Sequence, residues 1–266
     1  MRLDRRHTIL VPGVLALCVV LAAVAGRAQA RSQAQITVYA AASLTDVFPK
    51  IDGAPKYAFG GSNTLAAQIQ QGAPADVFAS ANMTLPNQLH AKGLCSKPVV
   101  LTRNTLVIVV PKANPRGIKS VYDLAKPGIK LDVAGPGVPV GSYTLQILKN
   151  MNLSASVTKN VVSQETDVRE VLAKVALGEA DAGFVYSTDA KTVPGRVTVI
   201  KVPAWAQPKV IYAMAIVTRS SNKVAAQAFI KKVLSVSGQT TLQKFGFLLL
   251  PKPTTTSLRN QLHSGN

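Results

Sequence analysis

Two serines stand where apolar, strand-like runs give way to helical patterns. Ser43 lies in Val38-Tyr39-Ala40-Ala41-Ala42-Ser43-Leu44-Thr45-Asp46, and Ser62 in Phe59-Gly60-Gly61-Ser62-Asn63-Thr64-Leu65. A turn of this kind aims free backbone N–H groups and a hydroxyl at one point, with the positive end of a helix dipole behind them. Two such turns facing each other hold an anion. Serine is also a favoured N-cap where nothing binds, so for either residue alone capping is the commoner role. The pair, with a glycine before Ser62 that lets a ligand reach the backbone, shifts the balance toward binding.

Three further places offer donors. Gly135-Pro136-Gly137-Val138-Pro139-Val140-Gly141-Ser142-Tyr143 follows a strand and opens a helix, so the N–H of Val140 or Gly141 can face a ligand, although its glycines would serve any tight turn. Glu165-Thr166-Asp167-Val168-Arg169 opens another helix, with Asp167 as cap and the Val168 N–H as donor. Tyr186 ends the apolar run Phe184-Val185-Tyr186, and its hydroxyl reaches a ligand only if it points into a cleft. Otherwise it is an ordinary packed aromatic.

Nucleophilic and metal chemistry have little to stand on. Beyond residue 30 the histidines are His90 and His263 and the one cysteine is Cys95. A zinc site or a Ser-His-Asp triad would rest almost wholly on His90, which reads as the outer face of a helix ending near Gly93. Cys95 sits in a loop-like stretch and reads as a lone, tolerated thiol, with no partner for a disulfide.

The elements that must position these donors follow an export signal. Residues 1–30 begin with Arg2, Arg5 and Arg6, continue as an apolar run from Ile9 to Ala25, and end in Ala28-Gln29-Ala30, a small-x-small processing site. Leu17 before Cys18 argues against a lipid anchor, and Arg5-Arg6 is only a partial twin-arginine signal. Four arginines and one aspartate leave with this segment, taking the formal charge from +18 to +15. The basic residues are scattered singly and aromatics are few, which argues against a nucleic-acid partner. The surface field instead favours small anions.

Between residues 36 and 110 strand-like and helical patterns alternate in a βαβ rhythm. Pro111-Lys112-Ala113-Asn114-Pro115 interrupts it, a second set of elements follows, and Pro203 and Pro208 precede a last strand, Val210 to Val217, with two helices after it. The pattern predicts an α/β protein of two lobes, each a mostly parallel sheet flanked by helices, with residues 31–111 and 210–250 in the first lobe and 112–209 in the second. A polar tail spans 251–266. Ligands of such sheets sit beyond the carboxyl ends of the strands, here in the cleft between the lobes.

Taken in order, Ala41-Ala42-Ser43-Leu44-Thr45-Asp46, Gly61-Ser62-Asn63-Thr64-Leu65-Ala66, Gly72-Ala73-Pro74-Ala75-Asp76-Val77-Phe78, Val138-Pro139-Val140-Gly141, Asp167-Val168-Arg169, Gly178-Glu179-Ala180-Asp181-Ala182-Gly183-Phe184-Val185-Tyr186 and Phe245-Gly246-Phe247 resemble the periplasmic molybdate-binding proteins that feed ABC-type molybdate importers. The similarity runs from about Ile36 to Phe247. It implies a tetrahedral oxyanion, molybdate or tungstate, held by Ser43 and Ser62, by the N–H groups of Val140 and Val168, and by the Tyr186 hydroxyl. It also implies an exported, monomeric carrier without cofactor or catalytic step, whose partner is the membrane permease. Two departures from the family pattern stand out: valine at 140 where alanine is usual, and only eighteen residues between Ser43 and Ser62, with Pro49 reducing the first helix to a stub. The alternatives are a carrier for sulfate or another tetrahedral oxyanion, an exported enzyme on the same scaffold, and a surface adhesin using the basic face.

Overall fold

The computed structural model describes residues 35–250; the export signal read at 1–30 and the tail read at 251–266 lie outside them. Ten strands form two sheets of five. They are β1 Thr37–Ala41, β2 Lys56–Gly60, β3 Val77–Ser80, β4 Val99–Asn104, β5 Leu106–Pro111, β6 Leu131–Ala134, β7 Val161–Glu165, β8 Ala182–Tyr186, β9 Val197–Lys201 and β10 Val210–Ile216. The strand orders are β2-β1-β3-β10-β4 and β7-β6-β8-β5-β9. Helices α1 Phe48–Ile51, α2 Ser62–Gln70, α3 Thr84–Ala91, α4 Pro139–Asn150, α5 Ser154–Thr158, α6 Val168–Leu177, α7 Ser187–Ala190, α8 Lys223–Leu234 and α9 Val236–Lys244 connect and flank them.

The sheets are mixed rather than mostly parallel. In the first, β1 pairs in parallel with β2 and β3, whereas β10 pairs antiparallel with β3 and β4. In the second, β6 pairs in parallel with β7 and β8, whereas β5 pairs antiparallel with β8 and β9. The reversal has one cause in both: β5 and β10 enter from the other sheet rather than through a βαβ crossover, which is what keeps neighbours parallel.

The lobe boundary moves for the same reason. Leu106–Pro111, read as the last strand of the first lobe, belongs to the second sheet, so the chain crosses at Thr105 and not after residue 111. Residues Leu106 to Val110 are all buried, as a strand covered on both faces must be. Such an apolar run fits the centre of either sheet, and Pro111-Lys112-Ala113-Asn114-Pro115 is a turn after the strand rather than a link between lobes. The last strand, β10, begins at Val210, where the apolar run predicts a strand.

Helix faces follow the apolar spacing. On α6 the buried residues are Val168, Val171, Leu172 and Val175, one stripe of a 3.6-residue period. On α4 they include Val140, Thr144, Ile147 and Leu148. Helix α1 has only four residues, with Pro49 in its first turn, the stub that the proline predicts. Cys95 is buried and bridges to Val217 rather than lying in an open loop. Burial pushes its thiol up to about 12, so it stays protonated and unreactive.

Candidate functional site

Strand register brings the two serines together. Ala41 of β1 is the parallel partner of Gly60 of β2, and each serine follows its strand end by two residues. Ser43 occupies the middle of a 3₁₀ turn, Ala42–Leu44, and Ser62 is the first residue of α2. Both are buried, at 4% and 1% exposure, and both line one small cavity. The short connection between them therefore does not separate them.

The second lobe supplies the facing wall. Val140 is the second residue of α4, after Pro139, a proline at the start of a helix where no N–H is missed. Gly141 follows because the helix start packs against the carbonyls of Ala134 and Gly135, where a Cβ has no room. Val168 opens α6, and Asp167 caps it, accepting from the N–H groups of Arg169 at 2.7 Å and Glu170 at 3.2 Å. The Val168 N–H, the first of the helix, has no acceptor within the helix. Tyr186 ends β8 with 1% exposure, and its hydroxyl has no hydrogen-bond partner among the described residues.

All five predicted residues border this cavity, together with Ala41, Ala42, Gly60, Gly61, Ala81, Val138, Pro139 and Asp167. The space they enclose is small. Among the described residues no lysine, arginine or histidine lines it. The one carboxylate, Asp167, is engaged by the α6 N-terminus. Burial pushes Tyr186 well above its ordinary pKa of 10, so it stays a neutral donor. The lining thus brings together hydroxyl-bearing side chains and the N-termini of three helices, α2, α4 and α6, the chemistry of anion binding.

Contacts behind and beside this wall are ones that sequence reasoning missed. Ser43 Oγ lies 2.9 Å from the hydroxyl of Tyr212 on β10, and Ser62 Oγ accepts from the Ala81 N–H at 3.1 Å. Arg169 bridges the lobes, pairing with Asp46 of the first at 2.5 Å and with buried Asp189 of the second at 2.8 Å. A hydroxyl in the middle of the apolar run Val210–Ile216 is the one sequence signal for Tyr212; Asp46 and Arg169 stand within segments that resemble the family, but nothing there pairs them. His90 lies on the exposed face of α3 and bonds the Cys95 carbonyl through Nδ1, away from the cavity. Among the described residues there is no cluster of three or more histidine, cysteine or carboxylate side chains.

Comparison with known proteins agrees with this geometry. Residues 20–248 match the family described as bacterial extracellular solute-binding protein. The molybdate-binding protein ModA of Mycobacterium bovis is 39% identical over 222 residues, covering 80% of this chain and 84% of that one. The substrate-binding domain of a putative molybdenum ABC transporter from Clostridium difficile superposes with a TM-score of 0.60 at 30% identity, covering 82% of this chain and 99% of that one. The periplasmic molybdate-binding protein of Azotobacter vinelandii shares the fold, with a TM-score of 0.72 at 22% identity over 82% of this chain and all of that one. A two-lobed fold, a cleft walled by neutral donors and these relatives lead to one conclusion: the chain belongs to the bacterial extracellular solute-binding proteins, in the branch that contains the ModA proteins.

Proposed function

We propose that the protein captures molybdate or tungstate in the interlobe cavity through Ser43, Ser62, the N–H groups of Val140 and Val168, and Tyr186, and delivers the anion to the permease of an ABC importer. The observation that supports this reading is that all five residues line one small cavity, with no cationic side chain among its described lining residues. A shell of neutral donors suits a fully deprotonated dianion and offers no acceptor for the proton that phosphate keeps near neutral pH. The relatives named as molybdate-binding support the choice of anion. The protein acts as an exported monomer at the extracytoplasmic face, binds reversibly without a catalytic step, and has no nucleic-acid partner. Its lobes, residues 35–104 with 210–250 and residues 105–209, close about the two crossover segments.

Sulfate is the second reading, since it presents the same tetrahedron of acceptors and a sulfate-binding protein stands among the relatives. Isothermal titration of the mature chain with molybdate, tungstate, sulfate and phosphate separates the two. Tight binding of molybdate or tungstate with weak sulfate is expected; tight sulfate with no heat from molybdate would overturn the assignment.

A further inference from the structure

Both cavity serines receive a hydrogen bond from behind. For Ser62 the direction is fixed by chemistry, because the Ala81 N–H can only donate to its oxygen. The hydroxyl proton of Ser62 is therefore free to point forward. For Ser43 the partner is another hydroxyl, and either could donate.

Burial decides the direction. Tyr212 is fully buried, and the Ser43 hydroxyl, at 2.9 Å, is the short contact of its own hydroxyl, with Asn104 and Tyr186 as further polar neighbours. If Ser43 donated, the Tyr212 proton would lose its short acceptor at a fully buried position, where an unmade hydrogen bond is costly. If Tyr212 donates, its proton is satisfied and the Ser43 proton is released toward the cavity. Two neighbouring rings fix the orientation of Tyr212, since Tyr186 and Phe247 pack against it edge-on with centroids 5.5 and 5.6 Å away. The pairing of β10 with β4 also shifts register between Tyr212 and Ala213, and irregularities of this kind re-aim a side chain.

We propose that Tyr212 is a positioning residue that locks the Ser43 hydroxyl as a donor toward the cavity, and so makes the site reject oxyanions that carry a proton. It rests on the reading that an oxyanion occupies this cavity. With Tyr212 and Ala81 each filling a serine lone pair from behind, neither hydroxyl can readily turn its oxygen toward a ligand's O–H. A protonated anion then meets only donors, and its own proton has no acceptor. Burial holds Tyr212 well above its ordinary pKa of 10, so the locking proton is present throughout the physiological range.

The test is a double-mutant cycle of Tyr212→Phe and Ser43→Ala, titrated with molybdate and with phosphate at pH 7, with thermal unfolding run on each variant. Tyr212→Phe keeps the ring and removes only the hydroxyl; Tyr212→Met is the second variant. The wild type is expected to bind molybdate and not phosphate. Tyr212→Phe is expected to weaken molybdate binding about tenfold and to shift the molybdate-to-phosphate preference toward phosphate by at least as much, roughly the effect of one hydrogen bond to a charged group. In the Ser43→Ala background the same change is expected to cost nothing further. An equal loss in both backgrounds, or an unchanged anion preference, would show a purely structural role and overturn the proposal. A wild type that binds none of molybdate, tungstate or sulfate would instead remove the underlying function, and that result appears in the first arm alone.

Discussion

The backbone of Gly61, from the first lobe, lies directly against the carbonyl of Thr166, from the second, so that a Cβ at residue 61 would overlap that oxygen. The lobes meet here without a side chain between them, next to Ser62 and Val168. Gly61→Ala forces the two walls apart, and overpacking of this kind costs about 1–3 kcal/mol. We expect a well-folded variant that binds its anion roughly ten- to a hundredfold more weakly, with a larger radius of gyration in small-angle scattering when ligand is present. Unchanged affinity would mean that the cleft need not close this far.

Removing single donors should be graded. Ser43→Ala and Tyr186→Phe each delete one hydroxyl that borders the cavity, and each is expected to weaken molybdate binding by about 1–3 kcal/mol, the range for a hydrogen bond to a charged group. Calorimetric affinities of both variants check this. If neither changes, the anion sits elsewhere.

The Asp46–Arg169–Asp189 chain divides closure from stability. Asp46 is 43% exposed in its side chain and Asp189 is 0% exposed. A partly exposed pair is worth about 0–1 kcal/mol, so Asp46→Asn should loosen anion binding only a few-fold and leave unfolding unchanged. Arg169→Met strands the buried carboxylate of Asp189, a change that costs about 3–5 kcal/mol of fold stability. Denaturant unfolding of the two variants distinguishes these outcomes; equal destabilisation by both would refute the division.

A pH effect should trace to Asp132. Its side chain is 1% exposed, neither oxygen has a hydrogen-bond partner among the described residues, and burial, then the charge of Glu165, raise its pKa from 3.8 to about 7. Lys174 opposes the shift and pairs with Glu165 at 2.5 Å. Because the folded value lies above the unfolded one, this contribution to stability is complete below about pH 3.8 and is lost as pH rises through about 7. Asp132→Asn removes the titration and should stabilise the protein at pH 8 by on the order of 1–3 kcal/mol relative to wild type, with little difference near pH 4. Melting curves across that range provide the check.

The cavity-lining positions were readable because each is a local event. A strand end, a turn residue and a helix start lie within a few residues of one another at Ser43, Ser62, Val140 and Val168, and backbone chemistry alone marks them. What escaped was everything that depends on distant pairing. Ser43 and Tyr212 are 169 residues apart, and Arg169 and Asp46 are 123 apart, so no periodicity could have linked them. The same holds for Leu106–Pro111: its apolar run declared a buried strand, but membership of a sheet is decided by the partners on either side. Valine at 140 and the shortened link after Ser43 looked like departures, yet Val140, Ser43 and Ser62 all still border the cavity, the serines being placed by strand register.

That register has a consequence for how such a protein can change. With Ala41 held opposite Gly60, the distance between the two serines is measured by strand pairing and not by the chain that joins them. The outer turn around Pro49 and Gly53 is thereby released from selection on ligand affinity. A lineage can lengthen it, trim it or recompose its surface without altering the anion's coordination. A slip of one residue between β1 and β2 is the change it cannot survive, because that would send alternate side chains to the opposite face and carry one serine away from the other.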